Sequence, residues 1–118
     1  MVNKNLIEAV KNAEFFLLDM DGTVYLGDRL IGEMDTTLEV LRNKGKRIVY
    51  LTNNSSKSKE KYVEKLKKMG LFSPQDVMYT SGIATAEYLR DKFPQKKVYL
   101  LGTDGLKKEF TEIGVNIV

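Results

Sequence analysis

Phe15-Phe16-Leu17-Leu18-Asp19-Met20-Asp21-Gly22-Thr23-Val24 is the stretch whose reading decides the fold of this chain. Four consecutive apolar residues read as a strand buried on both faces, the habit of a parallel sheet covered by helices. That strand, expected over residues 15–20, runs straight into two carboxylates and a glycine. Charge at the carboxyl end of a strand lies where open α/β sheets keep their ligand crevice. Side chains alternate along an extended chain, so Asp19 and Asp21 share a side and can both reach one small cation. Gly22 permits a sharp exit or a close backbone approach. The stretch reads as a site for magnesium and phosphate.

On either side of it the chain alternates helix and strand. Residues 5–12 pattern as a short helix, with Leu6, Ile7 and Val10 expected beneath the first strand. Two short apolar runs flank Gly27-Asp28, good two-residue turn formers, so Val24 to Ile31 is expected to form a small hairpin or flap over the end of the sheet. Met34, Leu38 and Leu41 recur at helical spacing and Gly45 sits where that helix should stop. Arg47-Ile48-Val49-Tyr50-Leu51 is the second strand, ending in the small polar cluster Thr52-Asn53-Asn54-Ser55-Ser56. A helix follows with Tyr62, Val63, Leu66 and Met69 inward and lysines outward, closed by Gly70. Val77-Met78-Tyr79 is a third strand, again ending in small polar residues, Thr80-Ser81-Gly82. The helix from about residue 83 to 92 buries Ile83, Ala86, Leu89 and Phe93. After Pro94 come a strand at Val98–Gly102, a helix with Leu106, Phe110 and Ile113 inward, and a further strand from Val115. This alternation predicts a parallel three-layer α/β/α sheet.

The totals exclude several classes of function. The 118 residues are one domain's worth of chain, with 42% hydrophobic residues, 30% charged and a net charge of +3, the balance of an ordinary globular protein. No apolar run approaches the roughly 20 residues that span a bilayer, and the N-terminus is too charged for a signal-peptide core, so neither a membrane role nor secretion is expected and the cytoplasm is the default. Six lysines lie between positions 57 and 68, but Glu60 and Glu64 interrupt them and no aromatic lies on their exposed face. They read as a solvated helix face, with no nucleic-acid partner. Without cysteine or histidine the chain has no disulfide, no thiolate and no imidazole base.

Two strand ends therefore carry the chemistry. Adjacent parallel strands lie about 4.8 Å apart, so Asp19 and Asp21 can meet Thr52, Asn53 and Asn54 around one ligand. Paired carboxylates suit Mg²⁺, a hard cation that prefers oxygen. A hydroxyl, amides and the free N–H groups of a helix start suit phosphate oxygens. An ionised aspartate can attack phosphorus directly, and a carboxyl two residues on can protonate the leaving alkoxide and then activate water. The alternative is a phosphate-binding or phosphoacceptor signalling module without turnover; the bland reading is an Asp-rich turn beside a capped helix.

Asp19-Met20-Asp21-Gly22-Thr23-Val24 resembles the first signature of the haloacid dehalogenase-like phosphatases, and Leu51-Thr52-Asn53-Asn54-Ser55 resembles the second. With Thr80-Ser81-Gly82 the wording is similar to the NagD or 4-nitrophenylphosphatase branch. The resemblance implies that Asp19 is nucleophile and Mg²⁺ ligand, and that Asp21 is the acid/base and binds Mg²⁺ through its backbone carbonyl. It implies that Thr52, Asn53 and Asn54 hold the phosphoryl group of a small phosphorylated substrate. It also divides the chain into the N-terminal part of a phosphatase core, 1–94, and the beginning of an α/β cap, 95–118. In that family a lysine and an acidic motif lie downstream of the cap, and two further strands flank the first. Residues 1–118 supply neither, so the expectation is an N-terminal part nearly inactive alone, completed by a missing C-terminal part or associated through its open sheet edge as a homo-oligomer.

Overall fold

A computed structural model describes residues 3–53 and 58–118. Three parallel strands form the main sheet: β1 (Phe15–Leu18), β4 (Arg47–Thr52) and β5 (Val77–Thr80), in the order β1-β4-β5. The register pairs Phe15 with Arg47 and Leu18 with Tyr50, then Val49 with Val77 and Thr52 with Thr80. All three strands therefore end at nearly the same level, and whatever follows Leu18, Thr52 and Thr80 is gathered at one edge.

One face of this sheet is a packed core. Phe16, Leu18, Ile48, Tyr50 and Met78 alternate onto it and meet Leu38 of α2 (Met34–Asn43) and Tyr62 and Leu66 of α3 (Lys59–Lys68). The helical spacings read from the sequence thus place the expected residues inward. A buried ion pair fastens this layer: the Arg42 guanidinium at the end of α2 donates from Nε to Asp76 Oδ1 at 3.0 Å, from Nη2 to Asp76 Oδ2, and from Nη2 to the Leu71 carbonyl at 2.7 Å. The Tyr50 hydroxyl donates to the same carbonyl. Burial pulls the Arg42 guanidinium down, but the hydrogen bonds and charge of Asp76 outweigh it and hold it above its ordinary value.

The other face departs from the expectation of a strand covered on both sides. Phe15 and Leu17 are 57% and 62% exposed, and α1 (Lys4–Asn12) buries none of its residues, so Leu6, Ile7 and Val10 do not pack beneath β1. Continuous apolar character marks a strand as suited to two layers; among the described residues only one layer covers β1, which is also an edge strand.

The hairpin lies where the turn chemistry put it. Here β2 (Tyr25–Leu26) pairs antiparallel with β3 (Arg29–Leu30), matching Tyr25 with Leu30 and Leu26 with Arg29. Gly27 takes φ +62°, the sign that the first central residue of a type II′ turn requires.

After β5 the chain enters α4 (Ser81–Lys92), whose Ala86 and Leu89 join a second cluster with Leu106 and Phe110 of α5 (Asp104–Ile113) and with Val115. Two short parallel strands, β6 (Lys97–Val98) and β7 (Asn116–Ile117), form a separate sheet beside it. The strand expected over Val98–Gly102 is thus cut short, with Tyr99 and Leu101 on the surface. Phe93, expected inward, is also exposed. It follows the last turn of α4, where the chain has left the helical face that Ala86 and Leu89 share.

Candidate functional site

The loop after β1 is shaped by two inward anchors. Met20 and Val24 are buried in the core, while Asp19 and Asp21 stay on the surface. The Met20 carbonyl accepts from Thr23 N–H at 3.0 Å and Val24 N–H at 2.9 Å, and Gly22 N–H donates to the Tyr25 carbonyl at 2.7 Å. That wrap needs φ +87° at Gly22, a left-handed conformation that side-chain-bearing residues rarely adopt. Apolar residues alternating with the acids hold the carboxylates out of the core and at the sheet edge.

Asp19, Leu51, Thr52, Asn53, Tyr79, Thr80, Ser81 and Ala84 line one cleft of about 380 Å³ at the carboxyl ends of β1, β4 and β5. Three elements contribute polar groups: Asp19 after β1, Thr52 and Asn53 at the end of β4, and Ser81 at the start of α4. Thr80 Oγ1 accepts from Ile83 N–H at 3.0 Å and so caps α4, and Ser81 Oγ donates to the Asn53 carbonyl at 3.2 Å. The first turn of α4 therefore borders the cleft with the positive end of its dipole, an arrangement favourable to anions.

The sequence-derived site residues divide into three groups. Asp19, Thr52 and Asn53 come together in the cleft. Asp21 is not among its lining residues; its Oδ1 accepts from the Gly27 N–H of the hairpin at 3.3 Å. Asn54 lies outside the described residues. Ser81 and Tyr79 belong to the cleft although sequence reasoning singled them out only as a small polar strand end and a core strand. The signal available for Ser81 is its position directly after a strand, equivalent to that of Thr52-Asn53.

Two tyrosines lie beneath the site. Tyr25, in the hairpin, is buried, and its ring has the Lys65 ammonium 4.3 Å from its centroid. Burial first, then the charges of Asp21 and Asp19 and the neighbouring Tyr62, pushes the Tyr25 phenol up. Tyr62, in α3, is pushed up by burial and held back by a side-chain hydrogen bond with Thr52. Both stay neutral at physiological pH, and the charges that act on the Tyr25 phenol are those of Asp21 and Asp19.

An oxygen-only donor set is available to a cation. The Asp19 carboxylate engages Met20 N–H through Oδ1 at 2.9 Å, leaving its second oxygen for a ligand. Among the described residues no three acidic, histidine or cysteine side chains converge. A cation at Asp19 would have to complete its shell with carbonyl oxygen, water and ligand phosphate, which is the habit of Mg²⁺ and foreign to a softer metal. The residues present fit such an ion.

The chain is similar to several known proteins. Residues 16–116 match a family described as haloacid dehalogenase-like hydrolase. Over 113 residues the chain is 40% identical to phosphoglycolate phosphatase 1A, chloroplastic, of Arabidopsis thaliana, covering 94% of this chain and 31% of that protein. The crystal structure of 4-nitrophenylphosphatase from Thermotoga maritima superposes with a TM-score of 0.83 at 45% identity, over 91% of this chain and 41% of that one. Glycerol phosphate phosphatase from Mycobacterium tuberculosis, solved in complex with calcium, superposes with a TM-score of 0.80 at 27% identity, over 92% of this chain and 32% of that one. The chain thus spans about a third to two fifths of the length of these relatives.

Proposed function

The chain belongs to the haloacid dehalogenase-like hydrolase family, and we propose that its strand-end cleft is the phosphoryl-transfer half-site of a phosphomonoester hydrolase acting on a small phosphorylated metabolite. The observation that carries this reading is the convergence of Asp19, Thr52, Asn53 and Ser81 on one cleft of about 380 Å³, next to a helix start. A cleft of that size accommodates a phosphate with a short organic group.

Each side chain has a role its chemistry allows. The free oxygen of the Asp19 carboxylate attacks phosphorus; the new bond is the carboxylate O–P bond, and the ester P–O bond breaks. Asp21 gives its proton to the departing alkoxide, then takes one from the water that cleaves the aspartyl phosphate. Its hydrogen bond to Gly27 N–H couples that carboxyl to the hairpin, so the position of the flap sets the position of the acid. Thr52, Asn53 and Asn54 hold the non-bridging oxygens. Mg²⁺, held by the Asp19 carboxylate and the Asp21 carbonyl, would neutralise charge on the phosphoryl group. Residues 95–118 would begin the cap that confines the substrate; their Leu106, Phe110 and Val115 share one cluster with Ala86 and Leu89 of α4.

The test is covalent. Acetyl phosphate with Mg²⁺, followed by mass spectrometry of rapidly quenched samples, is expected to label Asp19 transiently, and Asp19→Asn is expected to give no adduct. Equal labelling of Asp19→Asn would overturn the assignment of the nucleophile. A stable adduct on Asp19 would replace the hydrolase with a phosphoacceptor module.

A further inference from the structure

Helix α3 begins without a local cap: its N-cap residue Ser58 makes no side-chain capping hydrogen bond. The acceptor comes instead from 50 residues further along, where Glu109 of α5 takes the Lys59 N–H on Oε2 at 2.8 Å. A carboxylate there satisfies a donor that has no partner within α3 and lies at the positive end of the helix. The other oxygen, Oε1, is buried and has no hydrogen-bond partner among the described residues. It lies against the first turn of α4, where a Cβ on Gly82 would stand 3.6 Å from it and 3.2 Å from Leu106 Cδ1. The bare glycine thus lets α5 approach α4 closely. A buried oxygen left unpaired is costly, so packing alone does not call for glutamate here. What the carboxylate does instead is span two helix starts, those of α3 and α4.

We infer that Glu109 is a positioning residue that holds the start of α3 against the first turn of α4 and so fixes Asn53 for a phosphate oxygen, an inference that rests on the phosphoryl-site reading above. Asn53 directly follows β4, and its carbonyl accepts from Ser81 Oγ at 3.2 Å. The chain between β4 and α3 is therefore tied to the start of α4 at both ends, at Asn53 through Ser81 and at Lys59 through Glu109. With the Glu109 tie cut, the start of α3 is held by the apolar face of that helix alone. Asn53 must then be ordered as the ligand binds, a cost that preorganisation removes. Glu109 lines a second hollow, of about 430 Å³, with Ile83 and Glu87 of α4, and is not among the residues of the Asp19 cleft. It acts on phosphate through the backbone of α3 and α4, not by contact.

The experiment is NMR of the full chain, reading amide exchange at Lys59 and a titration with inorganic phosphate in the presence of Mg²⁺. Wild type, Glu109→Gln, Glu109→Met and Val115→Ala are compared. Glutamine keeps an acceptor for Lys59 N–H, and methionine keeps the stem without one. Val115, buried in the cluster that α5 shares with α4, is the control for packing. The Lys59 amide is expected to exchange slowly in wild type and Glu109→Gln and faster in Glu109→Met. Phosphate binding at Asn53 and Ser81 is expected to weaken about three- to tenfold in Glu109→Met, the worth of one hydrogen bond. It should stay near wild type in Glu109→Gln and Val115→Ala. An equal loss in Val115→Ala makes the effect one of stability and overturns the inference, and an equal loss in Glu109→Gln refutes the acceptor role. Wild-type affinity in Glu109→Met overturns it while leaving the phosphoryl site standing. A wild-type Lys59 amide that exchanges at the rate of an open chain overturns the tie itself, whether or not the variants fold. No phosphate response at Asn53 and Ser81 in wild type overturns the site and the inference together.

Discussion

Arg42→Met tests the fastening of the core from which the site is suspended. The Arg42 and Asp76 side chains are 4% and 0% exposed. Arg42 supplies Asp76 with two of its hydrogen bonds, and a further one comes from Ser73 N–H at 2.9 Å. Methionine keeps the apolar stem of the arginine and fills irregular space, so little packing is lost. What is lost is the counter-charge of a fully buried carboxylate, and removing one partner of such a pair costs about 3–5 kcal/mol. Against a domain stability of about 5–15 kcal/mol this is a large fraction. With a urea m-value of about 1–3 kcal/mol/M, the unfolding midpoint falls by one to several molar. The second variant separates charge from shape: Arg42→Met/Asp76→Asn removes the unpaired charge and keeps an acceptor for Ser73 N–H. It is expected to recover about 1–3 kcal/mol, the coupling typical of neighbours in one network. Urea unfolding at neutral pH followed by circular dichroism reads both numbers, provided m is unchanged. A cost below about 1 kcal/mol for Arg42→Met would refute the reasoning, because a surface pair behaves that way. So would a double variant no more stable than the single one.

Two further predictions address the exposed sheet face and the buried phenols. Leu17→Lys lies on the uncovered face of β1 and is expected to change stability by less than about 0.5 kcal/mol, whereas Leu38→Ala, in the packed layer, should cost about 2–5 kcal/mol; thermal or urea melts compare them, and similar losses for the two would mean that the outer face of β1 is covered. Burial, and then the charge of Asp76, pushes the Tyr50 phenol well above its ordinary value, and burial also raises Tyr25, Tyr62 and Tyr79. A phenol that is harder to ionise in the folded chain favours unfolding once the unfolded phenol, at about 10, begins to lose its proton. The associated stability is fully present below about pH 10 and is lost as pH climbs towards the folded values. The urea midpoint should therefore be flat towards pH 9 and fall beyond, less steeply in Tyr50→Phe; a midpoint that rises with alkalinity would contradict this sign.

Roles set by near neighbours in the chain are legible in the amino-acid sequence alone. Asp19, Thr52 and Thr80-Ser81 each follow an apolar strand directly, so the alternation of strand and helix alone brings them to one edge, and the register of β1, β4 and β5 does so. Gly27-Asp28 declares its hairpin through turn chemistry with no help from the rest of the chain. Phe15 and Leu17 show the opposite case. Their apolar character states what their face tolerates, while their exposure depends on which elements lie against it, and no local pattern carries that information.

The polar groups that hold the site together belong to the second kind as well. Arg42 and Asp76 are 34 residues apart, and each looks like an ordinary surface charge in its own segment. Tyr62 fits a helical apolar stripe so well that its hydroxyl passes unnoticed, although a hydroxyl at an inward position always implies a partner somewhere. Periodicity ranks residues by how much water they avoid and is blind to what a buried polar atom must find instead. Inward positions occupied by Arg, Asp or Tyr where an apolar residue would pack are therefore the places where a one-dimensional reading should expect a tertiary bond. In this chain Arg42, Tyr50 and Asp76 follow that rule: Arg42 bonds to Asp76, and Arg42 and Tyr50 both donate to the Leu71 carbonyl across the fold.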